Sequence, residues 1–149
     1  ARKGRFAFGN WPQRSQRAQR GNGMDEEKAK ALCDQIRQIA FEIHVYLGHG
    51  HLEKVYENAL AHRLKKAGIK AEQQCPIQVF DEDGTLIGDY FADLLVEGEI
   101  IVELKAAKIT APEHEAQLLG YLKSARKGHG LLINFGAYRF EIRKYAGKL

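Results

Sequence analysis

The segment that most constrains the fold is IIVELKAAK, residues 100–108, because it places two opposite charges inside an apolar strand. Three β-branched residues lead into Glu103, Leu104 and Lys105 with no turn-forming residue between them. Side chains two apart in a strand share a face, so Glu103 and Lys105 point to the same side as Ile101. The segment therefore predicts a buried strand that carries either a structural ion pair or a functional site.

The basic character of the chain belongs to its beginning. Of the 149 residues, enough for one domain with a hydrophobic core, residues 1–23 hold six basic side chains and no acidic ones. Residues 24–149 then contain 17 basic against 19 acidic residues, a net charge of −2. We predict a basic, disordered extension over 1–23, either upstream of a start at Met24 or added for expression, and one domain over 24–149. Overall charge does not predict nucleic-acid binding by this domain.

Cysteine spacing and hydropathy predict a cytoplasmic protein with reduced thiols. No apolar run reaches the roughly 18–20 residues that a membrane span needs, and no signal-peptide pattern is present. Cys33 and Cys75 lie far apart, without metal-ligand spacing. His44, His49 and His51 offer a rival transition-metal site. The glycines on both sides of His49 favour a turn between two helices instead.

Hydrophobic periodicity predicts the order ααβββαββ. The predicted elements are helices from Asp25 to Leu47, from about His51 to Ala67 and from Thr110 to about Lys127, and strands at 69–80, 85–96, 99–106 and in GLLINF and AYRFEIRKY. The residues expected to face inward in the second helix are Leu52, Val55, Tyr56, Ala59, Leu60 and Leu64. This order predicts an α/β fold with a mixed sheet flanked by helices.

The turn at Glu97 and Gly98 decides whether Asp93 meets Glu103. A two-residue turn puts them on opposite faces, whereas a three-residue loop, with Gly98 at positive φ, pairs odd positions with odd ones. Two adjacent carboxylates repel and need a cation, and Mg²⁺ takes carboxylates, water and phosphate oxygens. With Lys105 beside them, such a site fits phosphodiester hydrolysis. Two alternatives remain. In one, the turn has two residues, which separates Asp93 from Glu103; in the other, the charged residues of the strand form a structural salt bridge.

Polar side chains also mark the inward faces of two predicted helices. Glu53 and Tyr56 lie on the apolar side of the second helix, and Gln117 and Tyr121, four residues apart, lie on the inward stripe of the third. An inward Gln is costly unless it is hydrogen-bonded. Each also fits a core role, with the tyrosines as core aromatics and Gln117 as a satisfied amide.

Together these residues resemble a known family. The motifs that carry the resemblance are Gly50-x-x-Glu53-x-x-Tyr56, Ala92-Asp93, Glu103-x-Lys105 and Gln117-x-x-x-Tyr121. With the segments YENAL, VELKA, EHEAQLLGYL and LLINFG, they make residues 28–145 similar to the small bacterial GxxExxY proteins of the PD-(D/E)XK nuclease superfamily. The resemblance implies a restriction-endonuclease-like core and a hydrolase that cuts nucleic acid. Ala92 stands where the superfamily's name has proline.

The resemblance also implies a role for each position. The implied metal ligands, for Mg²⁺ or Mn²⁺, are Glu53, Asp93, Glu103 and the backbone carbonyl of Leu104. Lys105 would be the catalytic lysine, working with Asp93 and Glu103. Gln117 and Tyr121 resemble the Q-x-x-x-Y element of RecB-like nucleases, which contacts nucleic acid or the attacking water, and Tyr56 would assist them.

Two functions follow from this sequence. The first is a metal-dependent nuclease that acts on DNA, with RNA as the second choice. The second is a non-catalytic binding or assembly protein that keeps the nuclease fold, with its charges in a buried network. The near-neutral domain favours the second, whereas the intact set of Asp93, Glu103 and Lys105 favours the first. Because 149 residues offer little surface for gripping DNA, we expect a homodimer or a protein partner under either function.

Overall fold

The computed structural model describes residues 24–147. Within them, three helices and five strands follow the predicted order ααβββαββ. Their bounds are α1 (Glu26–Leu47), α2 (Glu53–Lys66), β1 (Ala71–Phe80), β2 (Leu86–Val96), β3 (Ile100–Lys105), α3 (Pro112–Ala125), β4 (His129–Asn134) and β5 (Glu141–Ala146). The predicted extension, residues 1–23, lies outside the described part of the chain.

The strands form one mixed sheet, which confirms the predicted α/β class. Their order is β1-β2-β3-β4-β5, with β3 and β4 parallel and the other neighbours antiparallel. A parallel pair needs a crossover connection, and α3 supplies it. The helices α1 and α2 cover one face of the sheet, and α3 covers the other. None of the helices in residues 24–147 combines the length and the apolar composition that crossing a membrane requires.

The central strand β3 is buried on both faces. Ile100, Val102 and Leu104 pack toward α1 and α2, and Ile101 packs toward α3. This alternation puts Glu103 on the side of Ile101, where only 3% of its surface is exposed. The central strand therefore carries a buried carboxylate in the middle of the fold.

The loop between β2 and β3 has three residues, so the second of the two alternatives for this turn is correct. The strands pair up to Val96 opposite Ile100, which leaves residues 97–99 as the loop. Glu97 and Gly98 both have positive φ, 51° and 68°. The strained Glu97 is held by Lys70, whose carbonyl accepts from the Glu97 N–H and whose own N–H donates to the Glu97 carboxylate.

The buried face of α2 differs from the predicted one. Leu52 is 78% exposed because it precedes the helix as its N-cap, and Val55 is also exposed. The residues that α2 buries are Tyr56, Glu57, Leu60 and Leu64. The predicted four-residue spacing of Tyr56, Leu60 and Leu64 is confirmed, but the inward stripe begins one turn later than predicted and includes a carboxylate.

The end of β3 is fixed by the loop that follows β4. The Phe135 N–H donates to the Lys105 carbonyl at 2.8 Å, and the Asn134 side-chain oxygen accepts from the N–H groups of Ala107 and Gly136 at 3.1 and 2.9 Å. Gly136 has no room for a side chain, because a Cβ there would collide with the backbone that leaves β3. This close approach fixes the backbone immediately after Lys105.

We therefore expect Gly136→Ala to destabilise the fold by about 2 kcal/mol or more, because the colliding atoms belong to the backbone and cannot rotate away. Gly120→Ala is the matched control. An added Cβ meets nothing within 4 Å there, and alanine should stabilise α3 by roughly 0.5–1 kcal/mol. Urea unfolding of both variants measures the difference. Equal stability of the two would contradict the close approach.

Candidate active site

Asp93 and Glu103 lie where β2 separates from β3. Regular pairing of the two strands ends at Leu94 opposite Val102. Beyond that pair, the hydrogen bonds between the two strands run from backbone N–H groups to side-chain carboxylates. The Asp93 N–H donates to Glu103 Oε1 at 3.1 Å, and the Leu104 N–H donates to Asp93 Oδ2 at 2.8 Å. The two carboxylates are thus inserted between the strands and hold the opening by satisfying the backbone donors that the ladder leaves free.

The neighbouring strand β1 is distorted at the same level. Gln74, which lies between the residues paired with Leu94 and Ala92, has a φ of 51°, rare for a residue other than glycine. Leu94 packs toward α1 and α2, whereas Ala92, only two residues away, packs toward α3. The outer part of the β1–β2 hairpin therefore turns away from β3. We call this part, residues 76–91, the hairpin arm.

Burial raises the pKa of both carboxylates. It raises the pKa of Glu103 to about 8, and the nearby charge of Asp93 adds to the effect. The pKa of Asp93 is also raised, chiefly by burial, although the hydrogen bond from the Leu104 N–H opposes the shift. A buried carboxylate and a half-buried one that lie side by side and resist ionisation are the arrangement that a cation relieves.

Lys105 is a cation shared by three carboxylates. It ends β3, half-buried, and its charge favours the ionised forms of Glu53, Asp93 and Glu103, lowering the pKa of each against the effect of burial. Glu53 begins α2. Its pKa is raised by burial and by Asp93, so the start of this helix lies beside the opening between the strands. The four acidic and basic residues predicted from the sequence therefore lie within electrostatic range of one another.

Tyr121 reaches the same place from α3. Burial raises the pKa of its hydroxyl, and the charges of Glu103 and Asp93 raise it further, whereas a hydrogen bond with Gln117 opposes the shift. Gln117 itself is exposed, so its predicted inward position is wrong. The buried stripe of α3 contains Leu118, Leu119, Tyr121 and Leu122. Gln117 lies at the outer margin of the site and is connected to it through Tyr121.

Tyr56 lies away from the site surface. It is fully buried, and its ring stacks on Phe135 with centroids 4.6 Å apart. Its hydroxyl donates to the Gly48 carbonyl at 2.6 Å and accepts from the His51 N–H at 3.2 Å. These contacts fix the turn between α1 and α2, so the predicted role of Tyr56 in positioning nucleic acid or water does not fit its placement. Its alternative role as a core aromatic does.

A buried carboxylate that sequence reasoning missed stands behind the site. Glu57 is 4% exposed and accepts hydrogen bonds from Lys54 Nζ, Gln73 Nε2 and Gln74 Nε2, each at 2.7 Å. Gln74 Nε2 also lies 3.4 Å from Asp93 Oδ1, and the charge of Glu57 raises the pKa of Asp93. The distorted residue of β1 thus connects Glu57 to Asp93. Two features of the sequence could have indicated the burial of Glu57. It directly follows the inward Tyr56, and the next strand contains two consecutive glutamines that can donate hydrogen bonds to it.

The donor chemistry of the site suits a divalent cation that prefers oxygen. Glu53, Asp93 and Glu103 supply carboxylates only, and two of them are close enough to repel. Within residues 24–147, no three His, Cys, Asp or Glu side chains converge on one metal position. The histidines predicted as a rival metal site are not available as a set, since His44 is buried with its Nε2 2.9 Å from the Ala137 carbonyl oxygen.

The raised pKa of Glu103 predicts how stability depends on pH. The folded protein holds this proton up to about pH 8, whereas the unfolded chain releases it near 4.5, so stability falls as the pH rises between these values. Glu103→Gln removes the titration and keeps an oxygen that accepts from Asp93. We expect this variant to exceed the wild type in free energy of unfolding by on the order of 2 kcal/mol at about pH 9, and by much less at about pH 5.

Urea unfolding in the presence of a chelator, at both pH values, measures this difference. Glu82→Gln, in the exposed turn between β1 and β2, is the matched control and should change stability little at either pH. A Glu103→Gln variant that is no more stable than the wild type at the higher pH would contradict the account of the buried pair.

Comparison with known proteins agrees with this geometry. A family model described as the PD-(D/E)XK nuclease superfamily matches residues 30–145. A solved structure described as "Crystal structure of SSO0001" aligns with a TM-score of 0.51 and 20% sequence identity, covering 64% of this chain and 50% of that one. The chain thus spans half the length of that protein, and the likeness concerns the fold alone. Curated proteins gave no match. Since the family model covers most of the sequence, this chain belongs to the PD-(D/E)XK nuclease superfamily.

Proposed function

We propose that this protein is a Mg²⁺- or Mn²⁺-dependent nuclease that hydrolyses phosphodiester bonds of DNA in preference to RNA. The observation that carries the proposal is the insertion of the Asp93 and Glu103 carboxylates between β2 and β3, next to Lys105. A structural ion pair does not require a strand to leave its ladder, and a second, half-buried carboxylate beside it makes such a pair less favourable. A site for a cation and a phosphate explains both features.

In this proposal the acidic residues hold the cation. Asp93 and Glu103 are the main ligands, and Glu53 and the backbone carbonyl of Leu104 complete the set. A divalent ion bound there would polarise the phosphate and make water acidic enough to act as a nucleophile at neutral pH. The Leu104 N–H already bonds to Asp93, so the strand that offers the carbonyl also orients the first carboxylate.

Lys105 acts on the phosphate in this proposal. Its ammonium stands on the same rigid strand as Glu103 and balances negative charge that develops on the phosphate oxygens as water adds to phosphorus. The P–O bond to the leaving sugar oxygen then breaks, and that oxygen takes up a proton. Gln117 and Tyr121 line the outer side of the site, where they can hydrogen-bond to the attacking water or the nucleic acid.

The proposal assigns the protein to the GxxExxY proteins, and the support for this is the set of motifs in its sequence. The short domain favours action as a homodimer or with a protein partner. The second candidate is a non-catalytic nuclease-fold protein, and the observation that favours it is the net charge of −2 in residues 24–149. A surface that binds duplex DNA is usually basic, so a slightly acidic domain favours the non-catalytic candidate over a nuclease that binds duplex DNA.

A cleavage assay tests the proposal. We expect single- and double-stranded DNA and RNA, incubated with the protein and Mn²⁺ or Mg²⁺, to show cleavage of at least one DNA substrate that a chelator abolishes. Lys105→Ala should lower the rate by roughly 100-fold or more, because the transition-state charge loses its balance. Lys108→Ala, an exposed lysine three residues away, should keep the rate within about two-fold.

Two outcomes would count against a nuclease. One is that none of these substrates is cut although the protein binds Mn²⁺, which would leave the binding or assembly protein. The other is that Lys105→Ala cuts as fast as the wild type, which would point to a contaminating enzyme.

A further inference from the structure

We propose that the site takes single-stranded nucleic acid and that an unpaired base stacks on Tyr90 of the hairpin arm. The inference rests on the proposed function and adds the substrate class to it. Tyr90 is 49% exposed, and its ring lies against that of Tyr121, with centroids 5.3 Å apart and planes tilted by 40°. Neither the sequence motifs nor the proposed chemistry uses this residue.

Tyr90 lies near the two carboxylates because it packs on Tyr121, which is close to them. Tyr121 lies beneath it, nearly buried, and the charges of Glu103 and Asp93 raise the pKa of the Tyr121 hydroxyl. Tyr90 is therefore an exposed ring that packs on the tyrosine next to the two carboxylates. Gln117, also exposed and hydrogen-bonded to Tyr121, borders the same surface with an amide that can reach a base edge.

Strand register decides which aromatic ring of the arm faces the site. Tyr90 stands opposite Ile77, which packs in the core beneath α3. Its neighbour Phe91 stands opposite Pro76 and points to the other face of the hairpin, although it is exposed to a similar extent. A flat ring supported by a second ring is a preformed stacking platform, and stacking of one base on an aromatic side chain contributes about 1–3 kcal/mol.

The charge of the hairpin arm favours one strand over two. Residues 76–91 contain four acidic side chains and no lysine or arginine. The acidic residues are Asp81, Glu82, Asp83 and Asp89. A duplex lying along the arm would bring the phosphates of a second strand against these carboxylates, and the arm itself has no lysine or arginine to compensate for the repulsion. A single strand needs only Tyr90 and the α3 side of the arm, where Lys127 borders the groove between α3 and β1.

Binding measurements without cleavage test this inference. Fluorescence anisotropy in the presence of a chelator compares a labelled oligo(dT) strand with a blunt DNA duplex. We expect the oligo(dT) to bind more tightly. Tyr90→Ala and Tyr90→Leu should weaken oligo(dT) binding by roughly 5- to 100-fold, which corresponds to the loss of one stacked base. Tyr90→Phe keeps the ring and should stay within about two-fold.

Two controls separate stacking from damage to the arm. Tyr90→Leu still covers Tyr121 with an apolar side chain, so its loss of binding reports the missing ring. Phe91→Ala alters the opposite face and should leave oligo(dT) binding unchanged. The inference is overturned if Tyr90→Leu binds oligo(dT) like the wild type, if the duplex binds as tightly as the single strand, or if Phe91→Ala is as weak as Tyr90→Ala. A homodimer that Tyr90→Leu dissociates would also overturn it, in favour of a second copy on this surface.

The inference and the proposed function can fail separately. Oligo(dT) binding that depends on Tyr90, without metal-dependent cleavage of any substrate, would leave this inference standing and remove the nuclease. Metal-dependent cleavage of duplex DNA at an unchanged rate in Tyr90→Leu would keep the nuclease and remove the single-stranded substrate class.

Discussion

The structure depends on the exchange of two ladder hydrogen bonds for two carboxylate hydrogen bonds. At Asp93 and Glu103 the side chains, rather than the backbone carbonyls, accept from the N–H groups of Asp93 and Leu104. The exchange opens the sheet without leaving these donors unsatisfied, and it places two acidic groups at the opening. The separation of the hairpin arm, the approach of α2 with Glu53 and the exposure of Tyr90 all occur at this opening.

Holding a buried and a half-buried carboxylate side by side is unfavourable, and contacts from both sides keep them in place. Glu57 and the left-handed Gln74 support Asp93 from one side. The loop at Gly136 fixes the end of β3 from the other. Lys105 supplies one positive charge near three carboxylates, so full ionisation of the set leaves a deficit of positive charge, and Glu103 keeps its proton up to about pH 8. This deficit links the fold to the proposed metal chemistry, because a divalent ion supplies the missing charge.

Sequence reasoning reached the fold order, because hydrophobic periodicity encodes it locally. The acidic set came from the positions of Asp93 and Glu103 along the predicted hairpin and, for Glu53, from the family resemblance, and its role as a metal site stays a prediction. Sequence reasoning left open the loop at residues 97–99, since both parities fit a Glu-Gly turn. It missed the inward Glu57, whose burial depends on Gln73 and Gln74, two residues of another element. Leu52, Val55 and Gln117 were expected inward because an apolar stripe defines a face but not how far a neighbouring element covers it. Tyr90 was unremarkable in the sequence, and only the register of β1 and β2 brings it against Tyr121.

The central claim, that Asp93 and Glu103 together form a cation site, is tested most directly by titration calorimetry with Mn²⁺. The comparison is between the wild type and the Asp93→Asn/Glu103→Gln variant, which keeps the shape of both side chains and removes their charge. The account predicts that the wild type binds Mn²⁺ at millimolar concentrations or below and that the variant does not. A folded wild type that binds no Mn²⁺ in this range, or a variant that binds it equally well, would contradict the account and leave Glu103 and Lys105 as a structural ion pair.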